Sequence, residues 1–200
     1  MNQVKNIQPK WFVLFEVLVV LFSVVFGLIL NELRIEHVNK KRADIALKNI
    51  IREMKTNLSN IESSNLHHIT VRDSLEYLLN SQKRNPGKIS INELGMLMNG
   101  GFGVPSIQNY SWNLAKNLGS IEFMDYKTAT ILSRVYDLQD FYMKKYDKLS
   151  ENFYIANNME LKKREGLVLS LHLLASDVVI TESNLKNMYS KALEILEDAE

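Results

Sequence analysis

The sequence predicts an all-α protein in which an N-terminal transmembrane helix continues into a long-helix antiparallel bundle. Three observations predict it. From Trp11 to Leu30 only Glu16, Ser23 and Gly27 interrupt a run of apolar side chains. Five of the eight glycines and two of the three prolines are gathered between Pro86 and Pro105, leaving long stretches on both sides almost free of helix breakers. Within those stretches apolar residues recur at alternating spacings of three and four, the repeat of a helix packed on another helix.

The first element is the membrane segment. Twenty residues at a rise of 1.5 Å make a helix of about 30 Å, the thickness of a bilayer's hydrocarbon core. Pro9 suits the first turn of such a helix, Lys10 and Trp11 mark one interface, and Asn31, Glu32 and Arg34 mark the other. A cleavable signal sequence, with Val25-Phe26-Gly27 as its cleavage box, is the rival reading. It is disfavoured because its apolar region runs about 7 to 15 residues and lacks a carboxylate. Lys5 and Lys10 precede the span while Arg34, Lys40, Lys41 and Arg42 follow it, a margin too small to orient the protein.

Glu16 is the most unusual residue of the span, since an ionisable group inside the apolar run costs a few kcal/mol and usually faces a protein neighbour or water. At about 100° per residue Glu16, Ser23 and Gly27 project within about 40° of one another, with Asn31 about 40° further round. Ser23 and Gly27 also have the small-xxx-small spacing that lets two membrane helices approach closely. These three residues form the candidate intramembrane face. The competing reading is that Glu16 snorkels to the interface and the small residues are incidental.

No breaker separates Asn31 from Leu47, so the membrane helix is expected to run on as a stalk. The domain plan is a short polar tail over 1–10, the transmembrane helix over 11–31, and the stalk and first long helix over 32–85. A Gly/Pro loop with a short helix fills 86–105, and the remaining bundle helices 106–200. In the first long helix Leu47, Ile51, Met54, Leu58 and Ile61 make a seam that then meets Asn65, His68 and Arg72 before Leu75 and Leu79. This requires a kink near Ser63-Ser64-Asn65 or Thr70, or a polar layer. Beyond the loop, Ser106 is expected to cap a short helix packed through Tyr110, Leu114 and Leu118 and ended by Gly119. Asp125 is expected to cap the next helix, with Ile131, Val135, Leu138, Tyr142, Leu149 and Phe153 on one side. The last helix carries Leu167, Leu171, Leu174, Val178, Thr181, Leu185, Met188, Ala192 and Ile195. The short connections imply antiparallel neighbours.

Trp11, Glu16-Val17-Leu18-Val19-Val20, Gly27-Leu28-Ile29-Leu30-Asn31, Tyr110-Ser111-Trp112 leading to Gly119, and Tyr136 together resemble a group of small single-pass bacterial membrane proteins of unassigned function. That resemblance implies a bacterial inner (cytoplasmic) membrane. Relatives commonly have a more basic amino tail, implying a cytoplasmic amino end and a periplasmic domain. Here the tail has only Lys5 and Lys10, and the side of the domain stays undetermined. The group brings no activity with it.

Chemistry is sparse. The chain has no cysteine, which removes disulfides, thiolate metal sites and cysteine nucleophiles, and 24 basic against 23 acidic residues give no field for nucleic acid. His37, His67, His68 and His172 show no metal-ligand spacing and are read as solvated or satisfied. NGGFGVP lacks the Gly-Lys-Ser/Thr of a phosphate cradle and is read as a mobile connector. Lys40-Lys41-Arg42 and Lys162-Lys163-Arg164 are read as solvated faces. Trp112, Phe141, Tyr142, Tyr146 and Phe153 are read as core packing.

The expectation is therefore a membrane-anchored interaction or scaffold protein, not an enzyme, with no metal and no cofactor. Its surroundings are the lipid bilayer, and its partner a second copy or another membrane protein. One alternative is an accessory subunit of an ion- or proton-driven complex using Glu16. Another is a membrane-tethered sensor, which would have to signal through a partner because a ten-residue tail holds no output module.

Overall fold

The computed structural model describes residues 10–84, 102–103, 105–157 and 164–197, and among these there is no strand. Four helices carry the fold: α1 (Lys10–Arg84), α2 (Tyr110–Asn117), α3 (Tyr126–Asn157) and α4 (Arg164–Glu197), with a 3₁₀ turn at Ser120–Phe123. α1 is continuous for 75 residues, about 112 Å at 1.5 Å per residue. No residue between Trp11 and Arg42 is buried, and the first that is buried is Ala43. Roughly the first 48 Å of α1 thus projects from the bundle.

Each long helix buries an unbroken heptad seam. On α1 it runs through Ala43, Leu47, Ile50, Met54, Asn57, Ile61, Ser64, His68, Val71, Leu75 and Leu78. On α3 it runs through Thr128, Leu132, Val135, Gln139, Tyr142, Tyr146, Leu149 and Phe153, and on α4 through Val168, Leu171, Ala175, Val178, Glu182, Leu185, Tyr189, Ala192 and Leu196. These shift the expected seams by one at alternate positions: Asn57 and Tyr189 are buried where Leu58 and Met188 are only partly so, while Ile50 and Glu182 are buried beside Ile51 and Thr181, which are buried as expected. Apolar character picks Leu58 and Met188, whereas the seam includes polar groups that are buried because they are bonded. α1 is not interrupted near Ser64. It carries a polar layer there.

Direction follows from the pairs that meet. Asn57 meets Tyr189, Glu62 meets Lys186 and His68 meets Glu182, so α4 runs antiparallel to α1. Tyr142 meets Glu182 and Lys145 meets Asp177, so α4 is also antiparallel to α3. Glu53 meets Tyr136 and Asn57 meets Gln139, so α1 and α3 run parallel. The antiparallel expectation holds for both faces of α4. It does not extend to α1 and α3, because the chain between them returns along the bundle instead of turning tightly.

That return is visible as a strap. The Gly103 carbonyl lies beside His68, the Ser106 carbonyl accepts from Asn60, and Gln108 pairs with Asn57. Gly103, Ser106 and Gln108 thus meet His68, Asn60 and Asn57 in turn, against the direction of α1. Phe102 is buried, its ring stacked on His68 at 4.6 Å between centroids. The part of the loop read as a mobile connector is therefore anchored by the burial of Phe102 and by the contact of the Gly103 carbonyl with His68. Its expected short helix, the Pro9 turn, Leu167 and the Lys162-Lys163 pair lie outside the described residues or side chains.

Gly119 ends the α2 turn with φ +66, as expected, and Asp125 Oδ1 accepts from Thr128 N at 2.9 Å to cap α3. The hydrogen bonds from the Thr128 side chain and backbone hold the Asp125 carboxyl below its usual range. Ser106 does not cap α2, which starts at Tyr110 after Asn109 with no side-chain cap. Phe141, expected in the core, is exposed and carries Lys145 over its ring.

Asn57 pairs in both directions with the strap: its Nδ2 donates to the Gln108 carbonyl at 2.7 Å, and Gln108 N–H donates to its Oδ1 at 2.8 Å. Asn57→Leu keeps the branched skeleton but strips both partners, and should cost about 2–4 kcal/mol. Thr56→Leu, one residue away on the exposed face, should stay within about 0.5 kcal/mol. Thermal unfolding of the full chain in detergent, followed by circular dichroism, checks the contrast.

Candidate functional site

The three residues of the expected intramembrane face sit on the projecting part of α1. The Ser23 hydroxyl bonds back to the Val19 carbonyl at 2.8 Å, and a Cβ added at Gly27 would meet nothing within 4 Å. Glu16 is exposed on the same stretch. No described residue of the bundle is brought to this face.

The chemistry of the bundle is concentrated elsewhere, at a buried carboxylate that the sequence reading passed over. Glu182 is fully buried and accepts from four side chains. His68 Nδ1 lies 3.0 and 3.1 Å from its two oxygens. Asn65 Nδ2 donates at 3.0 Å, the Ser64 hydroxyl at 3.3 Å and the Tyr142 hydroxyl at 3.4 Å. The other ring nitrogen of His68, Nε2, lies 2.9 Å from the Gly103 carbonyl. An imidazole with an acceptor at each nitrogen is favoured in its doubly protonated form. Burial alone would pull the His68 pKa down, but the Glu182 hydrogen bond, the Gly103 carbonyl and the carboxylate charge outweigh it and raise the pKa above its ordinary value. Burial, followed by the Glu182 charge, pushes the Tyr142 phenol above its usual range, so it remains a donor.

A second network lies nearer the projecting end of α1. Glu53 accepts from the Tyr136 hydroxyl at 2.7 Å and from the Ser111 amide at 2.7 Å. Burial, reinforced by Glu53, raises the Tyr136 phenol far above its usual range. Tyr136 also stacks on Trp112 at 5.0 Å. Asn57, Gln139 and Tyr189 join around the Gln108 carbonyl, with the Tyr189 hydroxyl donating to Gln139 Oε1. Both networks are internally satisfied, which suits locks more than reaction centres. Among the described residues no group of three or more His, Cys, Asp or Glu is placed to hold a metal ion. His172 Nδ1 is buried without a hydrogen-bond partner among them.

The second network has an outward consequence. With the Ser111 amide held by Glu53 and Trp112 stacked inward, α2 buries Trp112 and Ala115 and turns Tyr110, Leu114 and Leu118 to solvent. These three were expected to be the packing face. Leu114 and Leu118 instead line an open, mostly apolar cleft of about 410 Å³ with Arg42, Ile45 and Ala46 of α1. Beside it, the outward positions of the α1 heptad carry Lys41, Arg42, Lys48, Arg52 and Lys55, all exposed. Glu32 and Glu36 occupy other faces, and Asp44 lies one turn from Lys41 and Lys48.

Comparison with protein families, with curated proteins and with solved structures finds no match to the chain. Glu182 was not findable in the sequence, since 174, 181 and 188 complete the three-four alternation of 171, 178 and 185 as well as 175, 182 and 189 do, and only the second line passes through the acid. The cleft was not findable, because it depends on which face of α2 the buried Glu53 selects.

Stability supplied by a charged His68 is complete below the unfolded histidine value of about 6.5 and is lost as pH rises through the raised folded value. The melting temperature of the full chain in detergent should therefore fall as pH increases above about 6.5. In His68→Gln this slope should vanish, on top of a loss of about 3–5 kcal/mol for leaving Glu182 buried without its counter-charge. A variant with unaltered pH dependence would exclude the charged pair.

Proposed function

We propose that this is a single-pass membrane protein whose helical domain is a non-catalytic interaction or scaffold module, held at a fixed distance from the bilayer by a continuous helix. The observation that carries the reading is the exposure of seventeen large apolar side chains between Trp11 and Leu30 on a helix that then enters a well-packed bundle. Burying such a side chain is worth about 1.5–3 kcal/mol, so leaving them in water would forfeit several tens of kcal/mol. A folded domain has only about 5–15 kcal/mol to lose. A bilayer covers a helix of this length and apolarity. The resemblance to small bacterial membrane proteins supports an inner-membrane location. The fully satisfied buried networks favour a rigid platform, and function then belongs to its outer faces.

Carbonate extraction should leave the intact chain in the membrane pellet, and recovery of it in the soluble fraction would end this reading. Ser23 and Gly27 suit the close approach of a second span. Replacing Gly27 with Leu should cost about 1–2 kcal/mol of helix association and lower crosslinking in membranes, while Leu21→Val should not.

A further inference from the structure

We propose that the crease between α1 and α2 docks an acidic amphipathic helix of another protein, which places its apolar side in the cleft and its carboxylates against the basic outward face of α1. The inference rests on the scaffold reading above and names the partner's chemistry. Its apolar half is the cleft of about 410 Å³ lined by Ile45, Ala46, Leu114 and Leu118, whose Ile45, Leu114 and Leu118 are each more than half exposed. Such a stripe on a soluble surface calls for a cover. Its charged half is the exposed set Lys41, Arg42, Lys48, Arg52 and Lys55, against which Asp44, one turn from Lys41 and Lys48, is the one exposed acid nearby on α1. Lys55 is paired with Glu197, and the other four give the border beside the cleft a positive excess. An amphipathic helix read at three-four spacing is the element that fits an apolar groove with a charged rim.

Height selects the partner over the membrane surface. Arg42 to Asn49 stand about 18–28 Å beyond Leu30 along α1, whereas the headgroup layer extends only about 5–8 Å past the hydrocarbon core. A tilt of about 20° shortens the lower figure by only about 1 Å. A second copy meeting the first on this same face would set like charges against each other.

The test uses the full chain in neutral detergent and a fluorescent peptide of about 18 residues with Leu on one helical face and Glu flanking it, beside a counterpart with Lys in place of Glu. The acidic peptide should bind, the basic one should not, and binding should weaken at least about tenfold on raising salt from about 0.05 to 0.5 M. Leu118→Asp, and separately Lys41→Glu with Arg52→Glu, should each weaken it about tenfold or more with an unchanged melting temperature, since all three side chains are exposed. Equal binding of both peptides, or indifference to Leu118→Asp, overturns the proposal. So does quenching of a fluorophore on Leu118→Cys by brominated phospholipid, which would put the cleft on the bilayer; the chain's lack of cysteine makes that label unique. Photo-crosslinkers at Leu118, Tyr77 and Leu173 in native membranes separate the two readings. Protein adducts at Tyr77 or Leu173 alone overturn the docking site and leave the scaffold reading standing, and none at any position overturns both. A doubled-mass adduct at Leu118 identifies a second copy and overturns the acidic partner.

Discussion

A non-helical segment packed against a helical bundle brings backbone amides and carbonyls with no ladder to join, and each buried one left unpaired costs free energy on the scale of a lost hydrogen bond. The strap from Phe102 to Asn109 imposes that constraint here. Asn57 meets it in both directions at Gln108, Asn60 at Ser106 and His68 at Gly103. The polar residues of the α1 seam are thus complementary to the strap, and the strap in turn permits α1 and α3 to run parallel. Glu182 then offsets the charge that His68 holds between the strap and α4. A substitution at Asn57 or His68 reaches the strap and a facing helix at once.

The fold class was legible because it depends on bulk features: the length of the apolar run, the clustering of breakers and the three-four repeat. The phase of each seam was not. Leu58 outranks Asn57 on hydropathy, yet Asn57 is fully buried and Leu58 is only half-buried. Burial of the amide is stabilised by Gln108, and no local pattern announces a partner fifty residues away. The Asp125 cap and the Gly119 terminus were legible for the opposite reason, being settled within three or four residues by side-chain reach and backbone handedness.

Continuity of α1 links the span to the bundle mechanically. The stalk between Asn31 and Arg42 has no buried residue to give it tertiary support among the described residues, and a free peptide of that length would be only marginally helical. Here the nucleus is already formed on both sides, by the bundle at one end and by the apolar segment at the other. Propagation therefore needs only ordinary helix formers and contacts such as the Glu36 to Lys40 pair at 2.7 Å. With α1 continuous from Lys10 to Arg84, no break in the helix separates the apolar segment from the bundle.

The same buried chemistry decides what the outer surface offers. Glu53 is nearly inaccessible, yet by accepting from the Ser111 amide and Tyr136 it fixes the rotation of α2 about its own axis. Trp112 then stacks inward on Tyr136, and helical geometry forces residues 110, 114 and 118 outward. The exposed apolar stripe is thus the counterpart of a satisfied carboxylate and not of loose packing. A helix of eight residues has a single apolar face to bury if only propensity and hydropathy act on it, and α2 instead surrenders its Leu114 and Leu118 to solvent. The interior network is strong enough to impose that arrangement, and the resulting cleft is correspondingly well defined in shape and in the sign of the charge beside it.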